Sequence, residues 1–415
     1  MGNHSTATVF QPGYSIVENP GRHLLYRSAV ASGKRFLVNK EELGHEREKG
    51  ECDYDVLPNI AAYDLVKPAL LFPDPIRTFD SWKSLAWNDI ESLIQCYEKL
   101  YQMRTIANDK SYTLIYERLV QKPRTEVERL CSGWRVPYQD RLINLGQPFG
   151  AFYFNTERER AIYCQESPLG LFTTVQSHQK IMSNIQSHSL LTNDEKESIK
   201  DRVGKQYMAL WGDKVSEVKA ILQSKTWFAF DLDDTLHEFR KASGTAVAAI
   251  FCAINEKYSV PTEELKSGLE LLDELALVYE TALGNALALK CGALSLLKQV
   301  KSKGKKIAII TEDPQDAQEW TVEQLGLKDM VDFLATTNFF VVSKVDGLFG
   351  KVLEQLKADA SDMVVIGDSK ERDIAPVMAQ GIYAIYYAEA ENFSLDLEPP
   401  QINSLKKLEF ILLPE

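Results

Sequence analysis

Short apolar runs separated by longer stretches of helical periodicity fill the second half of the chain. Residues 227–230 (Trp-Phe-Ala-Phe), 306–310, 333–335, 363–366 and 383–386 are rich in aliphatic and aromatic side chains and read as strands. Strands that alternate with helical segments predict a parallel sheet joined by crossover helices. One long insertion, residues 237–300, follows the first of these strands directly and reads as helical. In the first half, residues 69–72 form an apolar run that enters a turn at Pro73-Asp74-Pro75, and residues 112–116 form a second. Residues 192–211 predict a helix. Thr192 and Glu195 have capping-box spacing, and Ile199, Val203, Tyr207 and Leu210 recur on one face. The stretch 222–227 reads as the junction, giving a first domain of residues 1–222 and a second of residues 223–415.

Composition narrows the class. At 415 residues the chain exceeds what a single core usually holds. Hydrophobic residues make up 45% and charged residues 26%, which excludes a disordered or collagen-like chain. The 59 acidic residues outweigh 47 basic ones for a formal charge of −12, so general nucleic-acid binding, which needs a basic surface, is not expected. No run approaches the ~20 apolar residues of a membrane-spanning helix, and residues 1–14 lack the basic and apolar regions of a secretory signal. The expectation is a cytoplasmic protein. The six cysteines are widely spaced, without a CxxC or Cys/His cluster, so neither zinc nor a disulfide framework is expected. The thiols should be reduced and mostly buried. Residues 1–6 fit the loose N-myristoylation pattern, but no basic patch follows to supply a second anchoring signal.

The densest candidate chemistry lies just beyond the first strand of the second domain. Asp231, Asp233 and Asp234, with Thr235, follow Phe230 directly. In a parallel sheet, ligands bind beyond the carboxyl ends of the strands. Three acids so close repel one another unless a cation such as Mg²⁺ joins them; an acidic turn capping the next helix is the alternative. The other strand ends favour the first reading. Thr311 closes the second apolar run and offers a hydroxyl to a phosphate oxygen. Lys344 follows the third run, and Gly367-Asp368 closes the fourth with Asp373 five residues on. Four strand ends in this order supply the groups that phosphoryl transfer needs.

With these residues the second half resembles the haloacid dehalogenase superfamily, a phosphatase-rich group with a Rossmann-like core, over residues 225–415. The family's DxDx[TV] motif falls on Asp231, Asp233 and Thr235, its second-motif hydroxyl on Thr311, and its GDxxxxD on Gly367, Asp368 and Asp373. The third-motif lysine is similar to Lys344 in Ser343-Lys344-Val345-Asp346, where Val345 replaces the usual proline; Lys351 is the alternative. The resemblance implies an α/β fold with its core in residues 223–236 and 301–415. It also implies a helical cap over about 237–300 that sets substrate choice and excludes water. By the same resemblance, Asp231 attacks phosphorus to form an aspartyl-phosphate, and Asp233 acts as general acid and then as general base. Mg²⁺ would be held by the Asp231 carboxylate, the Asp233 carbonyl and Asp368, with Asp373 orienting it. The cap is rich in Leu and Ala and nearly free of basic residues between Lys266 and Lys290. It suits either a helix pair with its own small core or an apolar substrate body.

The first half is similar to the P-loop sulfotransferase family over residues 24–211, an α/β domain. The resemblance rests on Asp74-Pro75 with Ser81 seven residues after Asp74, and on Tyr116-Glu117-Arg118-Leu119 with Pro123. Pro73 stands where that family has arginine, and Ser32-Gly33-Lys34 lacks the Gly-rich donor loop. Docking, self-association or partner binding is therefore expected of this half rather than sulfate transfer. The leading reading of the whole is a Mg²⁺-dependent phosphatase acting on a small organic phosphate. One alternative is a prenyl diphosphate-processing cyclase that uses Asp231-Leu232-Asp233-Asp234-Thr235 as proton donor. The other is a binding protein without catalysis. A homo-oligomer is left open.

Overall fold

The computed structural model describes residues 27, 30–33, 63, 67–108, 111–144, 180–181, 189–258 and 272–412. The myristoylation pattern at residues 1–6, Lys34, Cys52, Cys164 and residues 259–271 of the insertion lie outside the described residues. The chain divides into two compact units, Met1–Leu210 and Trp211–Glu415. No helix among the described residues is long and apolar enough to cross a membrane.

In the first unit, β1 (Ala69–Phe72) and β2 (Tyr112–Ile115) pair in parallel, with Phe72 opposite Ile115. The helix Pro75–Ser84 starts where Asp74 accepts a hydrogen bond from the Ile76 N–H at 2.9 Å and Pro75 supplies a preset φ. The helix Ile90–Ala107 buries Leu93, Ile94 and Tyr97 against Phe79, Trp82, Ile199 and Val203. The helical path predicted over 192–211 begins at Asn193 with the expected capping box between Thr192 and Glu195. It widens over Lys200–Gly204 and resumes over Lys205–Ala209.

The second unit is built on a six-stranded, all-parallel sheet in the order β5-β4-β3-β6-β7-β8. Its strands are β3 (Trp227–Phe230), β4 (Lys306–Thr311), β5 (Phe333–Thr336), β6 (Met363–Gly367), β7 (Tyr383–Tyr387) and β8 (Gln401–Ile402). The central pair, β3 and β6, is buried at every position, which is why both read as continuous apolar runs rather than alternating ones. One face is filled by Ala229, Ile310, Phe349, Val352, Val365 and Val377. The helices Ala293–Ser302 and Gly212–Ser224 both pack against the helix Leu405–Leu412. Gly292 allows that packing, since a Cβ there would lie 2.9 Å from the Lys406 backbone nitrogen.

The insertion after β3 forms two helices, Phe239–Tyr258 and Leu272–Ala286, packed on each other. They share a small core of Ala242, Ala246 and Leu283, closed by Tyr279, Leu287 and Trp320. Of the four described cysteines only Cys96 and Cys131 are buried. Cys291 is half-buried, and Cys252, on the insertion helix Phe239–Tyr258, is exposed, so the expectation of mostly buried thiols does not hold for these four.

Candidate active site

Because β3, β4, β5 and β6 run in parallel, their carboxyl ends open on one edge of the sheet, and the predicted residues gather there. Asp231 follows β3 and its N–H donates to the Ile366 carbonyl of β6 at 2.9 Å. Its Oδ2 accepts from the Thr235 hydroxyl at 3.0 Å, and its Oδ1 accepts from Lys344 Nζ at 2.5 Å. The same ammonium reaches Asp373 Oδ1 at 2.6 Å. Asp231, Lys344 and Asp373 are all buried. Thr311, the last residue of β4, is buried opposite Thr336 of β5.

Local structure explains these placements. Lys344 sits in a turn closed by Ser343 and Asp346, whose N–H donates to Ser343 Oγ at 3.2 Å. Its own N–H donates to Glu312 Oε1 at 3.3 Å. Lys351 points away and pairs with Glu354 at the surface, so Lys344 is the lysine that reaches Asp231. After β6 the chain winds wide over Lys370–Ile374, capped by Ser369, and turns Asp373 back so that its Oδ2 accepts from the Ser369 N–H at 3.0 Å. The return is so close that a Cβ on Gly367 would fall 2.5 Å from the Asp373 Cβ. Glycine is required there by proximity.

The electrostatics follow from burying like charges. Burial pushes the Asp231 carboxyl up, Lys344 opposes it, and Asp373 adds to it, leaving the group at about 7. Burial and the charges of Asp373 and Asp234 push Asp368 up as well. Burial alone would lower the Lys344 ammonium, but Asp231 and Asp373 hold it well above its ordinary value. Oxygens of Asp231, Asp368 and Asp373 lie within 4.8 Å of one another. Three hard carboxylate donors that repel when ionised fit a divalent cation such as Mg²⁺.

Asp233, two residues beyond Asp231, is held by side chains that the spacing of the motifs did not point to. His237 Nε2 lies 2.7 Å from Asp233 Oδ1, and Gln318 Nε2 donates to Asp233 Oδ2 at 3.2 Å. The same Gln318 nitrogen donates to Asp313 Oδ2 at 3.0 Å. Burial raises Asp233, but the His237 contact and the hydrogen bonds from Asp313 and Gln318 bring it below its ordinary value. Burial and the neighbouring Asp233 raise Asp313 to about 6. Glu312 and Arg372, paired at 3.3 Å, were also missed, as was Arg240, which reaches Asp234 at 3.0 Å and Asp368 at 3.9 Å. The acidic pair Glu312-Asp313 directly after Thr311 was a visible signal. Nothing in the sequence marked Gln318.

Residues 226–377 match the model of the haloacid dehalogenase-like hydrolase family. A curated relative, ribulose-1,5-bisphosphate 5-phosphatase of Halopiger xanaduensis, is 32% identical over 122 residues. That match covers 29% of this chain, and the chain spans about half, 51%, of the relative. Among solved structures, a HAD phosphatase from Thermococcus onnurineus is 17% identical, with 45% of this chain and 97% of that chain covered and a TM-score of 0.37. A HAD-hydrolase from Bacillus subtilis bound to magnesium is 20% identical, with 45% and 98% covered and a TM-score of 0.37.

Proposed function

Since the C-terminal region carries a haloacid dehalogenase-like hydrolase domain, we propose that this protein is a phosphatase that hydrolyses a small organic phosphate through Asp231. The observation that carries the reading is the buried contact of Asp231 Oδ1 with Lys344 Nζ, beside Asp368 and Asp373. The ammonium opposes the rise that burial imposes on the Asp231 carboxyl and so favours the ionised form that a nucleophile requires. It also supplies positive charge where a phosphoryl group would lie. Thr235 fixes the second oxygen of Asp231, so that the carboxylate keeps one orientation. Thr311 at the end of β4 offers its hydroxyl to a phosphate oxygen.

Asp231 displaces the alcohol from phosphorus, and Asp233 gives the departing oxygen its proton. Water then attacks phospho-Asp231 with Asp233 as base, which splits one difficult hydrolysis into two steps. Asp231 and Asp368, with the Asp233 backbone carbonyl, would hold Mg²⁺, and Asp373 would orient it. When bound, that ion neutralises phosphate charge and orients the phosphoryl group. The two insertion helices serve as the cap, and their Leu- and Ala-rich composition suits an organic body of low charge. The curated relative supports phosphate-ester chemistry by its name, and a phosphorylated sugar is a natural first member of the test panel.

A cyclase that protonates an alkene would need Asp233 or Asp234 in the acid form. Hydrolysis uses that proton in its first step and the free carboxylate in its second, and the donors around Asp233 favour the ionised form that the second step uses. The test is phosphate release, with Mg²⁺, from sugar phosphates, nucleotides and prenyl phosphates, with Asp231→Asn in parallel. Release that the variant abolishes is expected. A prenyl diphosphate returned cyclised with both phosphates attached would overturn the proposal.

A further inference from the structure

We infer that His237 and Gln318 are positioning residues that fix Asp233 for proton delivery to the leaving oxygen. The inference rests on the phosphatase reading above and deepens it. An aspartate beyond a strand end rotates freely unless its oxygens are held. Here each oxygen has its own holder: His237 Nε2 at 2.7 Å from Oδ1, and Gln318 Nε2 at 3.2 Å from Oδ2. Two partners on opposite oxygens define the plane of the carboxylate. With the further hydrogen bond from Asp313, about one of its roughly four acceptor positions remains for the reaction.

Both holders are anchored. Gln318 lies on the helix Gln315–Gln324 that follows β4, is 3% exposed, and also donates to Asp313. His237 is fully buried, its N–H donates to the Leu232 carbonyl, and its ring meets Phe239 edge-on at 5.9 Å. Because Asp233 accepts, the ring proton is assigned to Nε2.

A second observation separates positioning from packing. His237 Nδ1 and Gln318 Oε1 are buried without a hydrogen-bond partner. Each residue therefore carries the cost of an unpaired buried polar atom, which a leucine or methionine of similar volume would avoid. What His237 gains in return is its contact with Asp233, and what Gln318 gains is its contacts with Asp233 and Asp313. The two also stand where the insertion meets the sheet. His237 opens the insertion, and Trp320, two residues after Gln318, closes the insertion's small core. The geometry of Asp233 is thus tied to both parts of the domain.

Proton delivery matters for a poor leaving group and little for a good one, so leaving-group dependence reads positioning directly. The experiment measures kcat/KM of the full chain with Mg²⁺ on an alkyl phosphate and on 2,4-dinitrophenyl phosphate. The quantity kcat/KM covers the steps up to phospho-Asp231. Gln318→Met is expected to lower the alkyl phosphate value about 100-fold, within the usual span for general acid catalysis. It should leave the dinitrophenyl value within about threefold. His237→Leu should behave likewise, and His237→Gln, which restores a nitrogen donor near the Nε2 position, should recover most of the alkyl rate. An equal fall on both substrates, or none, overturns the inference. If Gln318→Met does not fold, the His237→Leu and His237→Gln pair decides by the same ratio. If the wild-type chain hydrolyses neither substrate, it is the phosphatase reading that fails.

Discussion

Lys344 Nζ lies 2.5 Å from Asp231 Oδ1 with both side chains under one-tenth exposed, and the lysine comes 113 residues after its partner in the chain. The pair is not a stability device by default. Desolvating two charges costs about as much as their attraction returns, but removing one of them leaves the other buried and unpaired. Lys344→Met leaves both Asp231 and Asp373 without their cation. The expected result is a loss of about 3–5 kcal/mol in unfolding free energy near neutral pH, with a fall in kcat of about 100-fold or more. Thermal melting and steady-state rates check both. A variant with the wild-type melting temperature and rate would show that the contact carries neither stability nor chemistry.

Gly367 is the position where one methyl group should misplace an acid. A Cβ there would fall 2.5 Å from Asp373 Cβ and 2.6 Å from its Cγ. Those atoms are held by the Ser369 N–H and by Lys344, so they cannot swing clear. Gly367→Ala is expected to weaken Mg²⁺ binding by about 10- to 100-fold, the usual effect of losing an orienting carboxylate. Gly244→Ala is the control. Nothing lies within 4 Å of its Cβ, and its place in the helix Phe239–Tyr258 makes alanine the better helix former. Metal titration of the two variants should separate them clearly. Equal affinities would mean that Asp373 does not orient the ion.

The central sheet was readable because β3 and β6 are apolar at every position and sit between turn-forming polar residues. β8 was not, because two residues carry no periodicity. The strand-end residues were readable for the same reason: a parallel sheet brings its carboxyl ends to one edge, whatever the sequence distance. Lys344 could be told from Lys351 only by geometry, since the Ser343–Asp346 turn fixes which side chain faces Asp231. The holders of Asp233 illustrate the remaining limit. Gln318 is 85 residues away on a polar helix, and its amide looks like any solvent-facing glutamine until packing buries it.

Asp231 at about 7 makes cation binding pH-dependent with a definite sign. The folded-state value lies above the unfolded one, so in the metal-free protein this group favours folding fully below about pH 4 and loses that contribution as pH rises through about 7. A carboxylate must be ionised to hold Mg²⁺, so binding displaces that proton. Apparent Mg²⁺ affinity should therefore rise between pH 6 and 8. At 100 times its dissociation constant, Mg²⁺ should add about 2.7 kcal/mol to the stability of the domain. Asp368→Asn should remove most of that gain, while the nearby Glu371→Gln should keep it. Calorimetric scans with and without Mg²⁺ at both pH values provide the measurement. An affinity that does not change with pH would argue against Asp231 as a ligand.

The first unit carries its own titratable burial. Glu117, 1% exposed, accepts from the Asp74 N–H at 2.9 Å on Oε1 and from the Tyr207 hydroxyl at 2.7 Å on Oε2. Burial raises its carboxyl to about 7 and the charge of Asp74 adds to the rise, while these hydrogen bonds restrain it. The folded-state value lies above the unfolded one, so the group favours folding fully below about pH 4.5 and loses that contribution as pH climbs through about 7. Over that interval the loss is on the order of 3 kcal/mol. Glu117→Gln keeps an acceptor for Asp74 and a polar partner for Tyr207 but carries no charge. Relative to wild type, the variant should therefore gain stability from pH 5 to about pH 7 and level off towards pH 8. Denaturant melts of the full chain, followed at the tryptophans of the first unit, test this. A wild-type minus variant difference that stays constant across that range would show that Glu117 is already ionised, and stably so, in the folded chain.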